Sequence, residues 1–577
     1  MTPDHLKLVT LPSQLPALKL ALKNAGAKAN RKPSLVTATY YDSPDLKLRR
    51  QSLTLCVQEQ GTRRIQGLRR FGSLGGGGTA GGEWWDPIAA DRPDPTAGIS
   101  GSRLRAIIDD GELCPLFKTQ LRRTFHKVST DPSFEITAAL DEGQLCAASG
   151  NAAESVCELE LELKRGDPAA LYDVALRLLD TAPFQMETQS LPERGYRLMG
   201  AEFAAVTSKP LAFDASMTVE AVLQSVAREC LGHLLRNEAA AISGDGEAVH
   251  QMRVASRRLR SMLSAVKSLL PVEQYRWLQE ELRWLAGSLA PVRNWDVFAT
   301  DLLAPVRSAL PADANLEQLA AAAKQRRQAV YDTAREAIGS RRYVELMLKL
   351  SRWFASRAWR DQPASERSAP LFAPIGYVAP PLIERRWRQA RKRSKRFAEL
   401  SQEERHNVRI ALKKFRYMTE FLGSLFNTRE VNALMKRLKP LQEDLGHVND
   451  VCTAQRLINE IDRPADNDAT AISQQAGLVI GWHLRELTRT EARLRRDVRR
   501  FRNAKPFWRP APQVIAPAIV IDAASPSPST QANGRRGVFV RGEDGQRQRV
   551  DAGREFGGEG LIDEPLARGA ALAGEGG

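Results

Sequence analysis

His250-Gln-Met-Arg253-Val-Ala-Ser-Arg257-Arg-Leu-Arg260 and His406-Asn-Val-Arg409-Ile-Ala-Leu-Lys413-Lys-Phe-Arg416 are two copies of one pattern in a chain of 577 residues. At about 100° per residue, His250, Arg253, Arg257 and Arg260 fall on one side of a helix, and Met252, Ala255, Leu259, Met262 and Val266 on the other. The second copy sorts the same way, with His406, Arg409, Lys413 and Arg416 set against Val408, Ala411, Phe415, Met418 and Leu422. Each helix is therefore predicted to have a dry face and a cationic face. Most letters differ while the sidedness is kept, which marks an internal repeat.

Each copy is followed at the same distance by a polar, turn-like motif, Leu289-Ala-Pro-Val-Arg293-Asn294-Trp-Asp296-Val in the first and Leu445-Gly-His447-Val-Asn449-Asp450-Val in the second. The unit is helix, intervening helix and motif. Two such units can bury their apolar faces against each other and present both basic stripes together. A lone Lys/Arg stripe is ordinarily a solvated face; two stripes in one register, each with a histidine, point instead to an anionic ligand. For His250 or His406 taken singly, a structural hydrogen bond and a phosphate contact are both open.

These residues resemble the CHAD family, the conserved-histidine α-helical domain, over residues 216 to 505. The resemblance implies a two-repeat helical bundle whose basic surface binds inorganic polyphosphate through His250, Arg253, Arg257, Arg260, His406, Arg409, Lys413 and Arg416. The chain departs from the family's first repeat at Asn294, in place of Asp, and at Ala290, in place of Gly; neither change removes a cation.

The length predicts several domains, and a formal net charge of +16 implies an acidic partner such as nucleic acid, an anionic membrane surface or a polyphosphate. Six cysteines without C-x-x-C spacing argue against a zinc site or a disulfide framework and fit a reducing cytosol. With no leader-like N-terminus and no apolar run long enough to span a bilayer, the reading is soluble and cytoplasmic, without a membrane partner, and compatible with association with polyphosphate granules. Nucleic acid is disfavoured, because no reading motif and no aromatic series interleaves the basic stripes.

Residues 1 to 200 read as mostly strands with a short helix at Gln14 to Ala25, a hairpin around Gly61 and a flexible insertion from Gly75 to Gly82. In Cys157-Glu-Leu-Glu-Leu-Glu-Leu-Lys164, Glu158, Glu160, Glu162 and Lys164 point one way and the leucines the other. Stacked carboxylates repel unless cations neutralise them. In a closed barrel that face could be a wet interior holding a divalent metal; a solvated strand beside basic neighbours is the other reading.

Tyr41-Asp-Ser-Pro-Asp-Leu-Lys-Leu-Arg-Arg50, Gly82-Glu-Trp84, Leu116-Phe-Lys-Thr-Gln-Leu-Arg-Arg-Thr124, the Glu158 strand with Gly166-Asp-Pro168, and Glu193-Arg-Gly-Tyr196 together resemble the CYTH family. That resemblance implies an antiparallel β-barrel whose charged tunnel binds a triphosphate with Mg²⁺ or Mn²⁺, and the fusion resembles bacterial inorganic triphosphatases. Lys7, Arg69 and Arg123 then take phosphate-facing catalytic positions, and Asp141, Glu158 and Glu160 metal positions. The family's opening Glu-x-Glu-x-Lys is here Pro3-Asp-His5-Leu-Lys7, Cys56-Val-Gln58 replaces Arg-x-Arg, and Leu191 replaces a lysine. Asp4 is out of register to compensate. Losing ligands and cations together attacks substrate binding and transition state alike.

The expected architecture is α+β in two domains: a triphosphate-tunnel barrel at 1–200, a linker at 201–215, and a helical bundle at 216–505 with repeats at 216–358 and 380–505. A Pro-, Ala-, Gly- and Ser-rich tail at 506–577 is predicted to be disordered. The expected function is polyphosphate binding beside a partly degenerate triphosphatase tunnel. The alternative is an active metal-dependent triphosphatase acting on tripolyphosphate, and only that alternative requires the metal.

Overall fold

Alternation of apolar and charged residues in the first part of the chain gives way to helical spacing after Thr218. The computed structural model describes residues 5–509 apart from 31, 62, 71–81, 109–110, 129–131, 201–204, 311–314, 364 and 462–466, together with 539–541 and 547–549. The Gly75–Gly81 part of the insertion and most of the tail lie outside the described residues. The chain forms two units, Met1–Gln513 and Val514–Gly577.

The strands are β1 (His5–Val9), β2 (Ala27–Ala29), β3 (Ser34–Asp42), β4 (Leu53–Gln60), β5 (Arg63–Arg70), β6 (Glu83–Pro87), β7 (Cys114–Val128), β8 (Glu135–Ala147), β9 (Ala153–Arg165) and β10 (Gln185–Met186). Among them lie α1 (Leu15–Asn24), α2 (Lys47–Arg50), α3 (Gly98–Ile108) and α4 (Ala169–Leu179), with α5 (Leu191–Leu198) following. The ten strands make one antiparallel sheet in the order β10-β1-β9-β8-β7-β3-β4-β5-β6, with β2 on β7. It is not closed, in contrast to the expected barrel, and no pairing joins β10 to β6 among the described residues. β10 is two residues long, and β6 meets α3, where Arg103 stacks 4.1 Å from the Trp84 ring.

The period-two reading holds across this sheet. Leu6, Leu8, Ile136, Ala138, Leu140, Leu159 and Leu161 face a core built with α1 and α4, so His5, Lys7, Asp141, Glu158, Glu160 and Glu162 share the opposite face. At one end of that face α5 closes over an apolar cluster that includes Tyr40, Cys56, Phe117 and Tyr196. Gly195 allows this approach, since a Cβ there would stand 2.2 Å from the Phe117 ring.

The helices continue as α6 (Val219–Arg236), α7 (Glu238–Ile242), α8 (Gly246–Val266), α9 (Val272–Val297), α10 (Ala304–Ala309), α11 (Glu317–Gly339) and α12 (Arg341–Ala355). The second repeat supplies α13 (Ile375–Arg393), α14 (Gln402–Leu422), α15 (Thr428–Asn459) and α16 (Asn467–Arg502). Both predicted dry faces, from Met252 to Val266 and from Val408 to Leu422, lie in a single core. Sequence-based boundaries change in three places. The two turn-like motifs are helical, inside α9 and α15, because Leu289, Val292 and Trp295 recur at helical spacing and bury one side. The second repeat, expected from residue 380, begins earlier, with α13 from Ile375. Phe507 and Trp508, read as tail, pack into the helical core, and Trp508 Nε1 donates to Glu384 at 2.8 Å.

The segment after Gly200 is tied to α6: Val206 N–H donates to Asn237 Oδ1 at 2.9 Å, and Val206 O accepts from Asn237 Nδ2 at the same distance. The sheet and the helices also share a core, since Val344 and Leu348 of α12 belong to the cluster under α4. Arg352 and Asp173 pair across this seam at 2.5 Å. In the second unit the described residues are two short antiparallel strands, β11 (Phe539–Arg541) and β12 (Arg547–Arg549).

Candidate functional site: two charged surfaces

On the sheet, register brings the predicted residues together. Lys7 lies opposite Glu160, Glu158 opposite Asp141, and Asp141 opposite Arg123. Arg123 donates to both Asp141 oxygens at 2.7 Å. Glu158, 3% exposed, is held by Arg194, and Lys7 Nζ stands 3.5 Å from its other oxygen. His5 stands between two carboxylates: its Nδ1 is 3.3 Å from Glu160 and its Nε2 3.6 Å from Glu162. The His5 contact, with help from Lys7 and Arg123, holds the Glu160 carboxyl down at about 2 despite its burial. The contact with Glu160 also raises His5.

Arg69 stands apart from these groups, donating to Glu83 at 2.7 and 3.0 Å on the edge hairpin. In the sequence, Arg194 is legible only as part of Glu193-Arg-Gly-Tyr196. Its role depends on α5 folding back over β9, which spacing does not reveal.

Asp141, Glu158 and Glu160 do not fit a divalent ion as they are arranged. Asp141 and Glu158 already pair with arginines and Glu160 with His5, and among the described residues no group of three or more His, Cys, Asp and Glu is disposed to hold a metal. Mg²⁺ takes oxygen ligands in near-octahedral geometry, so these ion pairs would first have to open.

The helical surface is built in the opposite way. His250, Arg253 and Arg257 of α8 converge with Arg409 and Lys413 of α14, and Arg293 of α9 joins them. Arg253, Arg257, Arg409 and Lys413 make no ion pair with a carboxylate among the described residues, and Arg253 Nη1 and Arg409 Nε are buried without a hydrogen-bond partner. Arg257 Nε donates to Tyr417 Oη at 2.6 Å. Burial and the adjacent Arg257 and Arg409 pull Lys413 down to about 6. Burial and the nearby arginines bring Arg253 to about 10, and burial with Arg293 brings His250 to about 4.

Two predicted members stand differently. Arg416 reaches Glu420 at 3.2 Å and Gln442 at 2.9 Å, and Arg260 faces Arg283 and Tyr275 of α9. The histidines also differ. His406 Nδ1 donates to Asn449 Oδ1 at 2.6 Å, whereas His250 Nδ1 is buried without a partner. Asn449 was visible in the second motif, but its bond to His406 needs that motif to be helical. Asp296 of the first motif is structural instead, accepting from Arg327 and Tyr331 at 2.6 and 2.9 Å.

A CYTH domain at residues 6–196 is followed by a CHAD domain at 225–459. The chain is similar to an inorganic triphosphatase of Haemophilus influenzae, 28% identical over 169 residues, which cover 29% of this chain and 46% of that one. It is also similar to an uncharacterised protein of Mycobacterium tuberculosis, 28% identical over 228 residues, 37% of this chain and 40% of the relative. The chain thus spans less than half the length of these curated relatives. Among solved structures, the CHAD domain of the plant Ricinus communis is 29% identical with a TM-score of 0.45, covering 52% of this chain and 97% of that one.

Proposed function

We propose that this chain, a CYTH domain followed by a CHAD domain, binds inorganic polyphosphate on its helical surface, beside a triphosphatase-like sheet whose charges are already satisfied internally. One observation carries the reading: among the described residues Arg253 and Arg257 of α8 and Arg409 and Lys413 of α14 are half-buried and form no ion pair with a carboxylate, whereas Lys7 and Arg123 on the sheet and Arg194 of α5 all do. Burying unpaired charge is costly, and a linear polyanion repays that cost by offering phosphate oxygens to Arg forks in many registers.

The second reading, metal-dependent hydrolysis of tripolyphosphate with Mg²⁺ or Mn²⁺, is favoured by the named triphosphatase relative and by Lys7, Arg123, Glu158 and Glu160 sharing one face. It requires Asp141, Glu158 and Glu160 to exchange their cations for the metal. The two readings separate when phosphate release from tripolyphosphate and binding of long polyphosphate are measured on one preparation. Tight binding with low or absent release is expected. Robust metal-dependent release abolished by Glu158→Gln, without polyphosphate binding, would reverse the proposal.

A further inference from the structure

A second group of cations lies around the shoulder of α14. Lys414 follows Lys413 directly, and a step of about 100° turns it away from the first group. There Arg386 and Arg393 of α13, Arg260 of α8 and Lys267 just after α8 lie near enough to repel its charge. Arg386 is 6% exposed; its Nη2 donates to Ser264 Oγ at 3.0 Å, while its Nε is buried without an acceptor, as is Arg260 Nε. Arg393 Nη1 donates to the Asn407 backbone carbonyl at 3.3 Å. Among the described residues, none of Arg260, Lys267, Arg386, Arg393 and Lys414 forms an ion pair with a carboxylate.

Arg386 is buried because Ile383, Trp387 and Ala390 on neighbouring turns bind α13 to the core and carry the guanidinium in with them. A buried guanidinium with no carboxylate beside it is expensive unless an anion meets it.

We propose that Arg260, Lys267, Arg386, Arg393 and Lys414 form a second phosphate subsite, continuous with the first along α8 and α14, and that one condensed-phosphate chain occupies both. This rests on the polyphosphate reading above. Arg257 and Arg260 are three residues apart, a rise of about 4.5 Å, and Lys413 and Lys414 are adjacent, so the two groups adjoin along both helices. Joining two subsites by one ligand raises affinity through effective concentration, and a ligand too short to bridge them loses that gain. Length discrimination then lies in the span between subsites.

The test is calorimetry on the full chain with tripolyphosphate and with long linear polyphosphate. Lys414→Gln with Arg393→Gln should take up one tripolyphosphate fewer than wild type and bind long polyphosphate at least roughly tenfold more weakly. Arg257→Gln with Arg409→Gln should remove a different equivalent. Circular dichroism and the melting temperature establish folding, and Arg393→Gln alone, at an exposed position, serves if the pair does not fold. Unchanged uptake and unchanged long-chain affinity in the Lys414 pair would overturn the second subsite while leaving the first standing. No binding of long polyphosphate by wild type would overturn the functional reading itself.

Discussion

Lys413 sits where neighbouring arginines repel a proton. With Lys413 held at about 6 by burial and then by Arg257 and Arg409, the free side chain is neutral near pH 8. Phosphate oxygens beside it favour the ammonium form, so polyphosphate binding should take up a proton and strengthen as pH falls from about 8 towards 6. Calorimetry in buffers of different ionisation enthalpy measures this uptake, and Lys413→Arg, charged throughout, should reduce it. Binding by wild type without proton uptake would contradict this. On the sheet, His5 stands beside the carboxylates of Glu160 and Glu162. His5→Glu should turn a paired site into three crowded carboxylates and so create Mn²⁺ affinity, read by the loss of the free Mn²⁺ resonance, where wild type has little. A tight wild-type Mn²⁺ site abolished by Glu158→Gln would contradict the paired-face account.

At the scale of elements, legibility followed periodicity. The dry faces of α8 and α14 and the charged face of β9 were readable because spacing alone fixes which residues share a side. The turn-like motifs were misread because Pro291, with Asn294 beside it, is a breaker by local chemistry, whereas the burial of Leu289, Val292 and Trp295 keeps the helix. The open sheet was not readable, since closure depends on whether end strands meet. Nor was the partner of each cation: Arg194 reaches Glu158 only after α5 folds back, and Arg386 is buried only because α13 packs against α14. Trp508 is the clearest omission, an aromatic anchor in a stretch whose composition reads as tail. It packs against Trp387 and Phe415 at ring separations of 5.6 and 5.8 Å. Trp508→Ala should cost about 3–5 kcal/mol of stability, measured by urea unfolding; a loss near zero would place that aromatic outside the core.

At the scale of the whole molecule, the sheet and the helices are joined by α12 on α4, and a buried acid lies near that seam. Glu238 accepts from Tyr343 Oη at 3.2 Å, and burial, then the nearby Glu187, raises it to about 8. The folded state therefore holds a proton that the unfolded state has lost between about pH 4.5 and 8, so this group's contribution to stability falls as pH rises through that window. Glu238→Gln should flatten the dependence, measured as unfolding midpoints at pH 6 and 8.5; an unchanged slope would contradict it. The central claim is that unpaired cations on α8 and α14, and not net charge, hold the polyanion. Its most direct test is the salt dependence of polyphosphate affinity for the full chain, for Arg257→Gln with Arg409→Gln, and for Arg535→Gln with Arg536→Gln in the tail. The first pair should weaken binding at every salt concentration and make the log–log slope shallower by roughly 0.7 for each phosphate no longer neutralised, as for other single-stranded polyanions, while the tail pair changes little. Equal losses from both pairs would contradict the claim.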